Sequence, residues 1–187
     1  MAAYFKSEYL KIKHTFVEKL IFIAPTFAII FPLLMMPAYF EVNSYNWWYT
    51  STLPGMISLG CALIADKDKK MKNMAVLSMP VDLKKVWISK ILVCIGMIAF
   101  ASLIHLLGNV IIGNIFGIGK WGKAGMLNVI LASIILIITF LWQVPLCLFL
   151  TSKIGLFATI LINIGAYLIL GVVLAVKKVL WIIPYAI

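Results

Sequence analysis

"ILVCIGMIAFASLIHLLGNVII" occupies residues 91–112 and contains no charged side chain. A helix needs about 20 predominantly apolar residues to cross the roughly 30 Å hydrocarbon core of a bilayer. Only helices and closed barrels satisfy every backbone N–H and C=O in that medium, and the alternating segments of a barrel are absent. The run therefore reads as a lipid-spanning helix that carries His105 and Asn109 into the bilayer.

Working outward, segments 20–40, 47–65, 89–112, 126–150 and 154–176 read as five such spans. The closing "VLWIIPYAI" (179–187) has the character of the start of a sixth. The chain of 187 residues is 64% hydrophobic with a mean hydropathy of +1.11, well above the about 45–50% of a soluble domain. That excess cannot be buried inside one small globule, so lipid must be the solvent for most of the chain. The expected fold is an all-α polytopic membrane protein forming one transmembrane domain over 1–187. It has an N-terminal interfacial helix, five visible spans and a missing sixth.

The first 19 residues differ in pattern. Phe5, Tyr9, Ile12, Phe16 and Leu20 fall on one helical face, with Lys6, Lys11, Lys13, His14 and Glu18 on the others. This predicts a helix lying in the membrane interface over 1–19. A cleaved signal peptide fits poorly, because the charged region is long and no small-residue cleavage site follows the apolar run.

All 16 basic residues are lysines, against 6 acids, for a net charge of +10. The absence of arginine, the residue suited to bidentate phosphate recognition, argues against nucleic acid as a partner. The lysines flank the apolar runs, which points to membrane lipid instead. Lys6, Lys11, Lys13 and Lys19 precede the first span, and seven more lie in 66–90. With Lys153, one side of the membrane carries twelve and the other four. The positive-inside rule then places the N-terminus and the 66–90 loop in the cytoplasm.

The 41–46 stretch lacks lysine and becomes an outside loop leading into the second span. Tyr45, Trp47, Trp48 and Tyr49 cluster there. One reading is an aromatic belt at the headgroup level. The other is a surface that meets a hydrophobic extracellular peptide.

Few residues suggest chemistry. In "GIGKWGKAG" (117–125), a glycine pattern resembles the dinucleotide fingerprint, but a lipid-spanning segment precedes it where a strand is required. The same stretch nearly fits a phosphate-binding loop, but Ala124 stands where Ser or Thr must hold magnesium. His105 and Asn109, spaced i, i+4, are intramembrane polar groups, functional hypotheses by default but also natural partners for each other or for a neighbouring helix. An intramembrane protease of the CAAX type would add a Glu-Glu pair and an arginine, and neither is present. Gln143 precedes Pro145, which frees a carbonyl near Leu141 that Gln143 or a facing helix can satisfy. Pro25, Pro32 and Pro37 bend the first span. Cys61, Cys94 and Cys147 all lie in apolar runs and read as free, buried thiols. No metal site and no catalytic residue is expected.

The 66–90 stretch, "DKDKKMKNMAVLSMPVDLKKVWISK", is long for a loop. Met71, Met74 and Leu77 form a short apolar stripe, and Asp82 is a good N-cap for a helix running through Trp87 into the third span. The stripe suits a helix that docks into a partner's groove. Adherence to lipid through the lysines and Trp87 is the alternative.

Together, "YNWWYT", "VLSMPVDLKKVWISKILVC", "FLWQVPLCLFL" and "WIIPYA" closely resemble the permease subunits of lantibiotic-immunity ABC transporters of the MutE/EpiE type. The resemblance runs from the N-terminus to Ile187. It implies a multi-pass subunit of the bacterial cell membrane that works with a separate ATP-binding subunit and a second, related permease. The complex would remove lantibiotic peptides from the producer's own membrane. ATP and magnesium would bind the partner subunit, and this chain would hold no cofactor. The loop matching 66–90 would carry the coupling helix, with Met71, Met74, Leu77 and Asp82 as the coupling residues. The family continues past "PYA" into an outside segment and a sixth span; this sequence departs from it in lacking both, as a fragment or a truncated product would. A membrane protein that only binds or sequesters the peptide is the rival function.

Overall fold

A computed structural model describes residues 1–70, 82–116 and 125–175, with side chains at 1–70, 82–116 and 127–166. Every regular element among them is helical. Three stretches are long and apolar enough to cross a membrane: Phe16–Met35, Leu83–Ile115 and Leu127–Ile154. Leu156–Ala166 is a shorter apolar helix.

Helix α1, Ala2–Ile12, ends where His14 takes a left-handed backbone conformation (φ 59°). The apolar face expected to continue through residue 19 is therefore broken. Thr15 starts a new helix, α2 (Phe16–Met35). The Thr15 hydroxyl donates to the Ile12 carbonyl at 2.5 Å, and the His14 N–H donates to the Glu18 carboxylate, also at 2.5 Å. These bonds satisfy groups that both helix ends would otherwise leave open. Through Ile12, α1 packs along the long helix Leu83–Ile115, while Phe5 and Tyr9 stay exposed.

The region expected to be an outside loop is helical. After a turn of 3₁₀ helix at Pro37–Tyr39 comes α3 (Phe40–Trp47), then one wide π-helical turn at Trp48–Thr52, then α4 (Leu53–Lys70). The Leu53 N–H bonds the Trp48 carbonyl, five residues back. The cause lies in the sequence: Pro54 has no N–H to offer Thr50. The hydroxyls of Thr50, Ser51 and Thr52 all bond back to the carbonyls of Asn46 and Trp47. The wide turn shifts the register by one residue. Buried positions step 40, 44, 48 and then 53, 57, 61, so one face stays inward on both sides of the turn.

After Asp82 the chain forms α5 (Leu83–Ile115), 33 residues long. That is about 50 Å at 1.5 Å per residue, longer than the hydrocarbon core. Its buried line runs through Val93, Met97, Ala101, His105 and Asn109, while Phe100, Leu103, Leu107 and Ile111 face outward. The fourth predicted span is broken in two, α6 (Gly125–Phe140) and α7 (Gln143–Ile154). Pro145 is the reason: the Leu141 carbonyl it leaves free accepts instead from the Val144 N–H at 3.3 Å. Gly155 then turns the chain into α8 (Leu156–Ala175) with φ 99° and ψ 173°, a conformation essentially confined to glycine.

Central to the bundle is α4, packed by α2, α7 and α8. It is buried over most of its length, mainly through small or polar residues such as Ser58, Gly60, Cys61 and Ala62. Such a helix has little lipid to face and needs no uniform greasiness. Its end, Asp66–Lys70, is fully charged, and it is not among the three long apolar stretches.

Large apolar side chains crowd the outside, among them Phe22, Phe27, Leu103, Ile138 and Phe157, while Ala28, Gly60, Cys61, Cys94, Ala101 and Thr151 fill the inside. A water-soluble bundle distributes these classes the other way. Small and hydroxyl-bearing residues at helix contacts are the membrane pattern.

Candidate functional site

One polar cluster lies inside the bundle where α2, α3, α5 and α6 meet. It begins with Pro32, whose ring deprives the Ala28 carbonyl of its helical partner. The Ser44 hydroxyl, on α3, donates to that carbonyl at 3.1 Å. Ser44 Oγ also lies within hydrogen-bond distance of His105 Nε2, at 3.1 Å. Asn109, one turn on, donates to the His105 carbonyl at 2.8 Å, and the same amide nitrogen lies 3.1 Å from Nε2 and 3.4 Å from Nδ1 of the ring. The expected His105–Asn109 partnership is therefore present, with Ser44 as a third member that sequence spacing did not bring in.

Aromatic rings close over this cluster. Trp48 stacks on His105 with ring centroids 4.6 Å apart and planes 10° from parallel, and Tyr45 meets the same imidazole edge-on at 5.0 Å. Tyr45 Oη donates to Ser133 Oγ at 3.1 Å, because the Ser133 proton is committed to the Val129 carbonyl. Trp48 is only 1% exposed. It is a core side chain of the described bundle. Trp47 is half-buried against Phe31, with centroids 4.6 Å apart, and Tyr49 is exposed. The four aromatics thus divide, two around His105 and two toward the outside.

Gln143 is also buried. Its amide nitrogen donates across to the Pro54 carbonyl of α4 at 3.3 Å, the facing-helix role open to it in the sequence. Nearby, Asn163 donates to Cys147 Sγ at 3.0 Å. The three cysteines are free and buried. Among the described residues no group of His, Cys, Asp and Glu could hold a metal ion.

The opposite end of the bundle holds an ion network. Asp68, at the end of α4, is 4% exposed, and Glu8 on α1 is 4% exposed. Lys11 lies 2.6 Å from Glu8 and 3.2 Å from Asp68. Lys90 of α5 pairs with the other Asp68 oxygen. Lys67 donates to the Lys11 carbonyl, and Lys69 donates to the Thr151 carbonyl of α7 at 3.3 Å. Burial alone would push the Asp68 carboxyl up, but Lys90 and then Lys11 outweigh it and hold the group below the usual carboxylate range. Burial lowers Lys11 in turn, and Glu8 and Asp68 more than reverse it, so its ammonium is raised.

Four helices are thereby fastened at one end. The signal available in the sequence was scarcity: with only 6 acids against 16 lysines, an acid next to an apolar run has cations to choose from.

Of the coupling residues expected in 66–90, Asp82 caps α5 by accepting from the Lys84 N–H at 3.0 Å. Met71, Met74 and Leu77 lie outside the described residues. Leu83, Trp87 and Ile88 expose an apolar patch on the first turns of α5. Compared with known proteins, the chain matches no family model, no curated protein and no solved structure.

Proposed function

We propose that the chain is a permease subunit of an ABC exporter that removes lantibiotic peptides from the producer's membrane, driven by a separate ATP-binding subunit and paired with a second, related permease. The observation that carries this reading is the joint occurrence of "YNWWYT", "VLSMPVDLKKVWISKILVC", "FLWQVPLCLFL" and "WIIPYA" in one lysine-rich, membrane-type chain. The all-helical architecture with an apolar exterior supports it.

In this reading five spans cross the cell membrane. The N-terminus and the lysine-rich ion network are cytoplasmic, and α1 lies in the interface. The segment between α4 and the Asp82 cap holds the coupling helix, with Met71, Met74 and Leu77 toward the ATP-binding subunit. The network joining α1, α4, α5 and α7 suits that place, since a stroke delivered beside Asp68 reaches four helices at once. ATP and magnesium belong to the partner. Trp47 and Tyr49 are the aromatics left to meet a peptide.

Co-purification from membranes of the native host tests the assembly. An ATP-binding subunit should be recovered with wild type and released by Met74→Asp or Leu77→Asp, since an unpaired charge in an apolar contact is costly. Equal recovery with both variants would remove the coupling role of these residues.

A further inference from the structure

A groove of about 480 Å³ runs between α1, α2 and α5, walled by Tyr9, Ile21, Phe22, Val93, Met97 and Phe100. Gly96 forms part of its floor and has open space where a side chain would stand. Lys13 lines the same groove and, among the described residues, its ammonium makes no ion pair or hydrogen bond. Glu18, also on the wall, already accepts from the His14 N–H at 2.5 Å. Lys6 and Lys19 lie on the same two helices.

We propose that this groove binds one anionic phospholipid, with an acyl chain along Phe22, Gly96 and Phe100 and the headgroup phosphate at Lys13. The inference goes beyond the transport reading and needs only that the chain reside in a membrane. Three features select the occupant. The walls come from α2 and α5, two of the stretches long and apolar enough to cross a bilayer, so lipid is what surrounds the groove. Among the described residues that line it, Lys13 offers an uncommitted cation beside a mostly apolar channel whose one carboxylate, Glu18, is engaged by the His14 N–H, which matches an amphiphile with an anionic head. The net charge of +10 disfavours a cationic peptide in the same place and favours anionic lipid.

The test uses native mass spectrometry of the full chain, delipidated in detergent and offered phosphatidylglycerol or phosphatidylcholine with identical acyl chains. Wild type should retain one phosphatidylglycerol preferentially. Gly96→Phe fills the open floor and should weaken retention of both lipids about tenfold or more. Lys13→Gln keeps the channel and should lose only the preference, by about fivefold, the effect of one lysine beside an anionic headgroup. Helicity and elution volume confirm that both variants fold.

Equal retention by wild type and Gly96→Phe would overturn the groove as the site. Equal binding of the two lipids by wild type would overturn the role of Lys13. Displacement of the lipid by millimolar inorganic phosphate alone would reduce the site to a bare anion contact and overturn the proposal. Absence of peptide export by wild type, with lipid retention as described, would count against the transport reading only.

Discussion

Replacing Asp68 by Asn should loosen the lysine-rich end of the bundle. The change keeps the size of the side chain and removes its charge, leaving Lys90 and Lys11 without their shared counter-ion. The Lys90 side chain is 11% exposed and that of Lys11 29%. Removing one member of a buried pair costs about 3–5 kcal/mol. The lower end applies here, about 3 kcal/mol, because lysine stems are long enough to carry their heads toward water. In a protein of this size, that is a fall of about 6–12 °C in melting temperature.

The second arm is Asp68→Leu with Lys90→Met, which removes the pair together and should recover most of the loss. Thermal unfolding of the full chain in detergent, followed by circular dichroism, reads both. An Asp68→Asn variant melting within about 2 °C of wild type, or a double variant no better than the single, would refute the network as a structural clamp.

The pH dependence has a definite sign. Asp68 is held below its unfolded value, so its contribution is present above about pH 4 and is lost as pH falls through the folded value. Lys11 is raised, so its contribution is present below about pH 10 and is lost as pH rises further. Asp68→Asn should flatten the acid limb alone.

Other outcomes follow from single residues. Gly155→Ala should cost about 1–3 kcal/mol, because φ 99° with ψ 173° excludes a Cβ; an unchanged melting temperature would contradict that turn. Ser44→Ala should cost about 1–3 kcal/mol by leaving the Ala28 carbonyl unpaired and removing one partner of His105 Nε2, and Ser44→Thr, which restores a hydroxyl, should recover part of it. Trp48→Ala should destabilise by about 3–5 kcal/mol as a buried large-to-small change, with Trp47→Ala costing clearly less. Single cysteines at Lys70 and Asn46, in a cysteine-free background, should react with an impermeant thiol reagent on intact cells at 46 and not at 70; the reverse pattern would invert the membrane orientation.

The helical class and the apolar runs were legible because residues 91–112 and their counterparts carry almost nothing but side chains that prefer lipid. The Asp82 cap was legible because capping depends on immediate neighbours. The freed carbonyl at Leu141 was legible from the missing N–H of Pro145, but the break of the 126–150 segment into two helices was not.

The helix over Phe40–Trp47 was hidden because its polar residues look like a connection between spans. Its burial comes from Ser44 finding the Ala28 carbonyl, opened by Pro32 and sixteen positions away in sequence. An indole after a polar stretch is usually interfacial, and Trp48 has that local context. The wide turn before Pro54 decides that it points inward, and register of that kind has no periodicity to detect. Asp68 and Lys11 stand 57 positions apart, and only the packing of α1 across α5 brings them together.

Transport makes one demand that shielding does not: the peptide must leave the cell surface at the expense of ATP. The decisive measurement is the partition of a lantibiotic between cells and medium in strains expressing this protein with the proposed partner subunits. The ATP-binding subunit should be either intact or disabled in hydrolysis. The account predicts released peptide and high tolerance with the intact subunit, and cell-bound peptide and low tolerance with the disabled one. Full tolerance with the disabled subunit would contradict export and leave sequestration as the function.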